Sequence, residues 1–320
     1  MRFSPDVLDI DARAEADRIS GRLREAVSRL RRRGVVVALS GGVDSACVAA
    51  LSVRALGPDR VLGLILPERD SSPESARLAE ELCARLGIER RRQDIAPVLE
   101  AVGCYAAREA AVRSVFPGFL PSMPWKIVLP GRRDRRDGIN VLQLVVEVAA
   151  GDERRVRLPP EAALAIVAAT NFKQRTRKMI EYHHADRRVF AVAGTPNRLE
   201  YDQGFFVKLG DGAADVKPIA HLYKTQVYAV AREAGVPDAI LRRPPTTDTY
   251  SLSQSQEDFF FQLPYHELDL LLWARDHAVS AAEAASALGR TEREVERVYA
   301  DIDQKRRVAE YLHAPPVVLE

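Results

Sequence analysis

The sequence predicts an α/β fold: a doubly wound parallel sheet flanked by helices, carrying an inserted hairpin or loop segment and ending in a helical C-terminus. Three observations predict it. Short, wholly apolar runs such as Val35-Val36-Val37-Ala38-Leu39 have the pattern of strands buried on both faces. Stretches with apolar residues at every third or fourth position alternate with them, as amphipathic helices do. The connections are short, so successive strands run parallel and the helices cover both faces of the sheet.

Residues 9–33 open the chain as a helix with Ala16, Ile19, Leu23, Val27 and Leu30 on one side, and Gly34 stops it. The run 35–39 is the first strand. A helix starts near Asp44 and reaches Leu56, with Gly57-Pro58 after it. The alternation continues as strand 61–66, helix 73–86, strand 88–95, helix 161–183, strand 189–192 and helix 225–234. The stretch 114–160 breaks the rhythm. Pro117, Pro121 and Pro124 stand around Phe116, Phe119 and Trp125, and a basic turn, Arg132-Arg133-Asp134-Arg135-Arg136, follows. Two β-like runs, 141–148 and 154–158, are joined by Gly151-Asp152 and read as an inserted hairpin. We take it as an excursion within a single domain spanning 1–320. Residues 265–313 are helical, with capping-box starts at Ser280-Ala281-Ala282-Glu283 and Thr291-Glu292-Arg293-Glu294. The helices around Leu288-Gly289-Arg290 resemble a DNA-binding helix-turn-helix, but the near-zero net charge favours a packed pair.

The chain has 320 residues, 47% of them hydrophobic, which is enough for a sizeable core. Lys and Arg number 47 against 45 Asp and Glu, a net charge of +2 that favours neither a nucleic-acid partner nor an acidic tail. The three cysteines, Cys47, Cys83 and Cys104, lack metal-ligand spacing and read as buried thiols in a reducing compartment. His183 and His184 have no ligand partners in view and read as helix-surface residues. There is no apolar leader and no run long enough to span a membrane, so a soluble, cytoplasmic protein is expected.

The strongest signal is Ser40-Gly41-Gly42-Val43-Asp44-Ser45, set between a buried strand and a helix. The glycines let the backbone turn tightly and approach a ligand closely. Amides of the turn and of the first helical turn attract an anion, and Ser40 and Ser45 add hydroxyl donors. Asp44 would repel a phosphate unless it holds a cation, and Mg²⁺ shared with phosphate oxygens resolves the conflict. The loop lacks the Gly-Lys-Ser/Thr ending of nucleotide triphosphatases, and no dinucleotide G-x-G-x-x-G follows a strand.

This loop resembles the pyrophosphate loop of the N-type ATP pyrophosphatases, which share an adenine nucleotide alpha hydrolase-like fold and cleave ATP to AMP and pyrophosphate. Further on come Thr170-Asn171-Phe172-Lys173-Gln174-Arg175-Thr176-Arg177, Ala193-Gly194-Thr195-Pro196-Asn197-Arg198-Leu199-Glu200, Gly204-Phe205-Phe206-Val207-Lys208-Leu209-Gly210-Asp211, Asp215, and Leu222-Tyr223-Lys224-Thr225-Gln226-Val227. In that order and spacing they resemble the ammonia-dependent NAD synthetases over roughly 9–95 and 161–270. The resemblance implies that Glu200 holds Mg²⁺ with Asp44. It implies that Thr195, Lys224 and Thr246 contact ATP together with the loop residues Ser40, Gly41, Gly42, Val43, Asp44 and Ser45. Asp44, Lys224 and Thr246 would carry the catalysis. Arg175, Lys208 and Asp215 would hold deamido-NAD, and Lys305 would close over the site. A homodimer with the dinucleotide site near the interface is also implied, and helices such as 265–275 offer apolar faces for it.

The residue types suit this chemistry. A carboxylate must attack the α-phosphorus of ATP, so two anions are brought together, and Mg²⁺ and Lys224 would offset the charge that builds on pyrophosphate. Arg grips phosphate bidentately. Three features depart from the family pattern: the insertion 114–160, Gln256 beside Glu257 where an Asp-Glu pair is usual, and Gln304 before Lys305. The ATP half is intact and the acid half altered. A superfamily amide ligase that adenylates a different carboxylic acid is therefore the alternative. A tRNA-modifying ATP pyrophosphatase would need a sulfur-carrying Cys pair and a basic surface, and intact Asp44, Glu200 and Lys224 argue against an inactive binding module. With no Cys in a glutaminase setting, the amine source is ammonia, or glutamine through a separate glutaminase subunit.

Overall fold

A computed structural model of the chain describes residues 3–128, 142–245, 249–252, 261 and 263–319. The first helix, α1 (Ala12–Arg29), is capped by Asp11, whose carboxylate accepts the Arg13 and Ala14 amides. β1 (Val35–Ala38) leads into α2 (Val43–Leu56), then β2 (Val61–Ile65), α3 (Pro73–Leu86) and β3 (Glu89–Arg92). After α4 (Ala96–Ala101) and α5 (Cys104–Val115), the chain makes β4 (Trp125–Val128), β5 (Gln143–Ala149) and β6 (Asp152–Arg157). The long α6 (Pro160–Arg188) returns it to the main sheet at β7 (Ala191–Ala193). The rest is helical: α7 (Arg198–Gln203), α8 (Lys224–Glu233), α9 (Asp238–Leu241), α10 (Tyr265–Asp276), α11 (Ala281–Leu288) and α12 (Glu292–His313).

The main sheet has the order β3-β2-β1-β7, all parallel. A further parallel bridge, Ala193 to Val216, extends it by one position. β1 lies in its interior, and its alternation assigns each residue to a face. Val35 and Val37 join the apolar residues of α1, α2, α3 and α8, among them Leu23, Val27, Leu51 and Val227. Val36 joins Leu62, Leu64, Leu99, Cys104, Ile180 and Val192 on the other face. The expected doubly wound sheet is therefore present, with both faces covered.

Several boundaries differ from the sequence reading. Val189, expected to begin a strand, has φ 57° and closes α6 in the left-handed region, so β7 starts at Ala191. α4 and α5 occupy a stretch to which the sequence assigned no element. The inserted segment is a three-stranded antiparallel sheet, β4-β5-β6, rather than a hairpin. Its own core gathers Phe119, Trp125, Ile127, Leu144 and Val146 with Ile166 of α6. The basic turn 132–136, Gln254, Gln256, Glu257 and Thr246 lie outside the described residues.

The C-terminal helices form a fourth apolar cluster in which Leu268, Leu271, Val295, Val298 and Ile302 pack on Leu199 and Tyr223, with Phe3 and Leu8 from the N-terminus. The apolar face of α10 is thus consumed within the chain and does not offer itself to a second copy. Thr291 and Glu294 form the reciprocal capping box, whereas at Ser280 only the Glu283 amide is capped and the Glu283 carboxylate accepts the Phe3 amide instead. Among the described residues no helix is long and apolar enough to cross a membrane.

Candidate active site

Chain order reverses between β1 and β7: β2 and β3 follow on one side of β1, and β7 lies on the other. In open α/β sheets a crevice forms at the C-terminal ends of such strands. Here it is a cavity of about 510 Å³. The loop after β1 and the start of α2 supply Ser40, Gly42, Val43, Asp44 and Ser45, the turn after β7 supplies Thr195, and the first turn of α7 supplies Glu200. Lys224 at the start of α8 completes this end, while α6 lines the other with Thr170, Asn171, Lys173, Gln174 and Arg177.

The loop folds tightly because of its small residues. Gly41 has φ +74°, and a Cβ there would stand 2.4 Å from the carbonyl oxygen of Ser75. Ser45 Oγ donates to the Gly42 carbonyl at 3.0 Å and lies 3.2 Å from Ser40 Oγ. Gly42 begins α2 with no side-chain cap, which leaves the first helical amides free to receive an anion. The Arg243 guanidinium braces the loop from outside, donating to Ser75 Oγ at 2.8 Å and to the Gly41 carbonyl at 3.5 Å.

Asp44 meets its partners across the switch point. Lys224 Nζ donates to its Oδ2, and Asn197 Nδ2 donates to its Oδ1 at 3.1 Å. Asn197 also caps α7 in a reciprocal box: its Oδ1 accepts the Glu200 amide at 3.2 Å, and Glu200 Oε2 accepts its amide at 3.1 Å. Lys224 is 1% exposed. Burial works against its charge, but Asp44 and Glu200 outweigh that and raise its pKa above the ordinary lysine value. Burial, reinforced by Asp44, pushes the Glu200 carboxyl up to about 8. Asp269 holds α8 in place by accepting the Lys224 and Thr225 amides at 3.2 and 2.8 Å, and burial pushes its carboxyl up to about 6.

The buried Glu200 and the half-buried Asp44 therefore face one ammonium. That donor set fits Mg²⁺, which takes one or two protein carboxylates and fills its shell with phosphate oxygens and water. Among the described residues no group of three or more His, Cys, Asp or Glu side chains gathers as a complete protein cage.

The four residues expected to hold the acid lie elsewhere. Arg175 Nε donates to the Lys208 carbonyl at 3.3 Å, which makes these two neighbours. Lys208 Nζ caps the end of α12 through the Tyr311 and Ala314 carbonyls at 2.7 and 3.0 Å. Asp215 accepts the Val192 amide at 2.7 Å, and Lys305 pairs with Asp301 at 2.9 Å. None of the four lines the cavity. Asn197, Asp269 and Arg243 were not singled out from the sequence. The Asn-x-x-Glu box marked Asn197, and Asp269 shows as a lone acid in the leucine-rich run 268–272.

A more open depression of about 740 Å³ lies at the N-terminal ends of the strands, lined by Arg32, Arg33, Arg60, Arg187, Arg188, Asp59 and Phe190. It carries no glycine loop and no paired carboxylates.

The sequence profile described as NAD synthase matches residues 15–115 and 148–309. The chain belongs to the NAD synthase family. It is 55% identical to the NH(3)-dependent NAD(+) synthetase of Mesorhizobium japonicum over 98% of both chains. It is 53% identical to the NH(3)-dependent NAD(+) synthetase of Rhizobium meliloti, over 99% of this chain and 95% of that one. In fold it resembles the NMN synthetase of Francisella tularensis, with TM-score 0.67 and 24% identity over 97% of this chain and 99% of that one. Residues 116–147, which hold most of the inserted sheet, fall between the two stretches matched by the NAD synthase profile.

Proposed function

We propose that this chain converts deamido-NAD, ATP and ammonia to NAD, AMP and pyrophosphate. The observation that carries the reading is the Asp44–Lys224–Glu200 cluster beside a free helix N-terminus at the switch point, in a chain of the NAD synthase family. A carboxylate oxygen of the acid attacks the α-phosphorus, and the bond to pyrophosphate breaks as the O–P bond forms. Charge grows on the leaving pyrophosphate, where the α2 amides, Ser40, Ser45 and Lys224 face it without needing to reorganise. Thr195 and Thr246 are assigned to ATP with them. Mg²⁺ held by Asp44 and Glu200 would neutralise phosphate oxygens. Ammonia then attacks the acyl carbon; the C–N bond forms, AMP leaves, and the nitrogen sheds its surplus proton.

No side-chain nucleophile is needed, since positioning supplies most of the acceleration. Cys47, Cys83 and Cys104 are all buried, and burial pushes the Cys83 thiol up to about 11, so none suits glutamine hydrolysis. Free ammonia is the amine source of this reading, with a separate glutaminase subunit as the other route. We read 1–320 as one domain with 114–160 inserted and 265–313 as its helical end, working in the cytoplasm.

We further assign Arg175, Lys208, Asp215 and Lys305 to the acid, within a homodimer. α6 exposes Leu164 (70%), Met179 (59%) and Phe172 (38%) on the face that carries Arg175. Such an apolar stripe marks a docking surface, and a second copy seated there would enclose Arg175 and its neighbour Lys208. Sedimentation of the unaltered protein and of Leu164→Glu tests this: a monomer in both cases removes the dimer.

The reaction itself is tested by incubating the protein with Mg²⁺-ATP, ammonium and deamido-NAD and measuring NAD, AMP and pyrophosphate together. We expect all three in equal amounts, and none when EDTA replaces Mg²⁺. AMP and pyrophosphate released only with some other acid would overturn the substrate and leave the loop's role standing. Full turnover in EDTA would remove the metal.

A further inference from the structure

The N-terminal ends of the strands carry a second polar site, at the other end of the sheet from the phosphate loop. Three neighbouring strands are each entered by way of an arginine. Arg33 stands two residues before β1, Arg60 directly before β2, and Arg188 three residues before β7. Val35 pairs with both Val61 and Ala191, so the three entries lie side by side, about 5 Å apart from strand to strand. Arg32 and Arg187 add to them, and with Asp59 and Phe190 they line the open depression of about 740 Å³. The backbone is drawn close here. A Cβ on Gly34 would stand 2.3 Å from the Arg60 carbonyl oxygen and 2.7 Å from the Phe190 ring. Arg60 Nε donates to the Arg33 carbonyl at 2.5 Å. Arg188 donates to Glu89 at 2.6 Å and lies 5.9 Å from the Phe190 ring centroid. Phe190 follows Val189, a β-branched residue at φ 57°, a conformation such residues avoid. Strained backbone of this kind gathers at ligand sites.

Arginines beside helix C-termini can simply offset the helix dipole, and α1 and α6 both end here. Backbone amides already close those ends, however. The Arg32 amide donates to the Val27 carbonyl at 2.9 Å, and the Phe190 amide to the Ala185 carbonyl at 2.9 Å. Arg33 and Arg60 belong to neither helix. Among the described residues the only ion pair in this group is that of Arg188 with Glu89. Five guanidinium groups against the carboxylates of Asp59 and Glu89 leave a surplus of three positive charges, in a chain whose whole net charge is +2. Like charges gathered in this way repel one another until an anion enters. Guanidinium forks match phosphate oxygens two at a time, and a depression of this size suits a small molecule. A nucleic acid would need the positive surface to continue along its length. On the neighbouring β3 it does not, because Arg91 pairs with Glu89 and Arg92 with Glu80.

We propose that this depression is a second binding site, for a small ligand carrying two or more linked phosphates, held by Arg32, Arg33, Arg60 and Arg187 with Arg188 fixed beside Phe190. It uses none of the groups of the phosphate loop and does not depend on the reaction assigned above.

Isothermal titration of sodium tripolyphosphate into the full chain, without Mg²⁺, provides the test. The phosphate loop can take the same probe, so the number of equivalents bound is what decides. Arg33→Glu/Arg187→Glu, at two exposed positions, should bind one equivalent fewer than the unaltered protein. Arg293→Glu/Arg297→Glu, at two exposed positions of α12, changes the net charge equally and should bind the full number. Arg60→Gln should weaken the same equivalent about tenfold, the loss of one charge-assisted contact. Equal numbers of equivalents in the unaltered protein and in Arg33→Glu/Arg187→Glu overturn the proposal. So does an equal loss in the α12 variant, which would reduce the effect to net charge. Sulfate competing as well as tripolyphosphate overturns it too, since the surface would then take any anion. If the charge-reversed variant does not fold, Arg33→Gln/Arg187→Gln takes its place, and an undiminished number of equivalents overturns the proposal there. ATP titrated into the unaltered protein and Arg33→Glu/Arg187→Glu separates two sources of the ligand. Affinity at this site equal to that for tripolyphosphate supports a reader of phosphates alone, and tighter binding of ATP supports a nucleotide whose base meets Phe190.

Discussion

Replacing Lys224 by Met separates the folding role of the central ion pair from its chemical role. The ammonium is 1% exposed and donates to Asp44 Oδ2, and Asp44 keeps only the Asn197 bond once it is gone. Stranding one partner of a buried pair costs about 3–5 kcal/mol when the other is fully enclosed. The Asp44 side chain is 17% exposed and retains Asn197, so we expect a smaller cost, about 2–3 kcal/mol. For a chain of this size the melting temperature should then fall by about 5 °C, and the variant stays folded at 25 °C. Pyrophosphate release should fall much further, by about 10²–10³-fold in kcat, the usual loss when a preorganised charge is taken from a developing anion. The double variant Lys224→Met/Asp44→Asn removes both charges, so it should regain most of the lost stability and none of the lost rate. Pyrophosphate release at 25 °C and thermal melts of the three proteins decide the matter. A Lys224→Met enzyme within tenfold of the unaltered kcat would refute the reasoning, and so would a double variant that recovers rate along with stability.

Two further outcomes follow from single residues. Gly41→Ala must place a Cβ against Ser75 at φ +74°, a strain of about 1–3 kcal/mol, and should raise the KM for ATP while leaving the acid KM unchanged; equal ATP affinity in a titration would count against the loop geometry. Asp269 titrates at about 6 when folded against 3.8 unfolded, so its contribution to stability is full below pH 3.8 and is lost as pH rises through 6. Urea titrations of the unaltered protein against Asp269→Asn should show a difference that shrinks by on the order of 2–3 kcal/mol between pH 4 and pH 7, and a pH-independent difference would show that the carboxyl is not held protonated.

How much of this was legible depended on the range of the interactions that set each element. The run 35–39, the glycine turn and the helix from Val43 are specified by neighbouring residues, and they stand where the sequence puts them. α5 gives no such signal: it begins after Gly103 at φ +74° with no side-chain cap, and it is held by packing along α6. β4 was missed for a similar reason, since Trp125 pairs with Val146 and its Pro-rich approach offers no turn chemistry pointing there. The β-like runs that form β5 and β6 were readable, and the third strand, β4, was not.

The same division runs through the site. The phosphate-loop end uses groups that sit on local turns: a glycine loop, an Asn-x-x-Glu box and the first residue of a helix. The family pattern was needed to pair Asp44 with Glu200; the Asp44–Lys224 contact, across 180 residues, is a finding of the structure. At the α6 end of the cavity the contacts are long-range and carry no local mark. Lys173 meets Glu68 and Asp70 across 105 and 103 residues, and Trp125 meets Ser251 across 126. No hydrogen bond joins Asp44, Asn197, Glu200, Lys224 or Asp269 to Lys173, Glu68, Asp70 or Arg108 among the described residues. The two ends share one cavity but are fixed independently, and changes at distant, unconnected positions combine additively. The inserted sheet and the segment 249–252 are joined in the structure at Trp125 and Ser251.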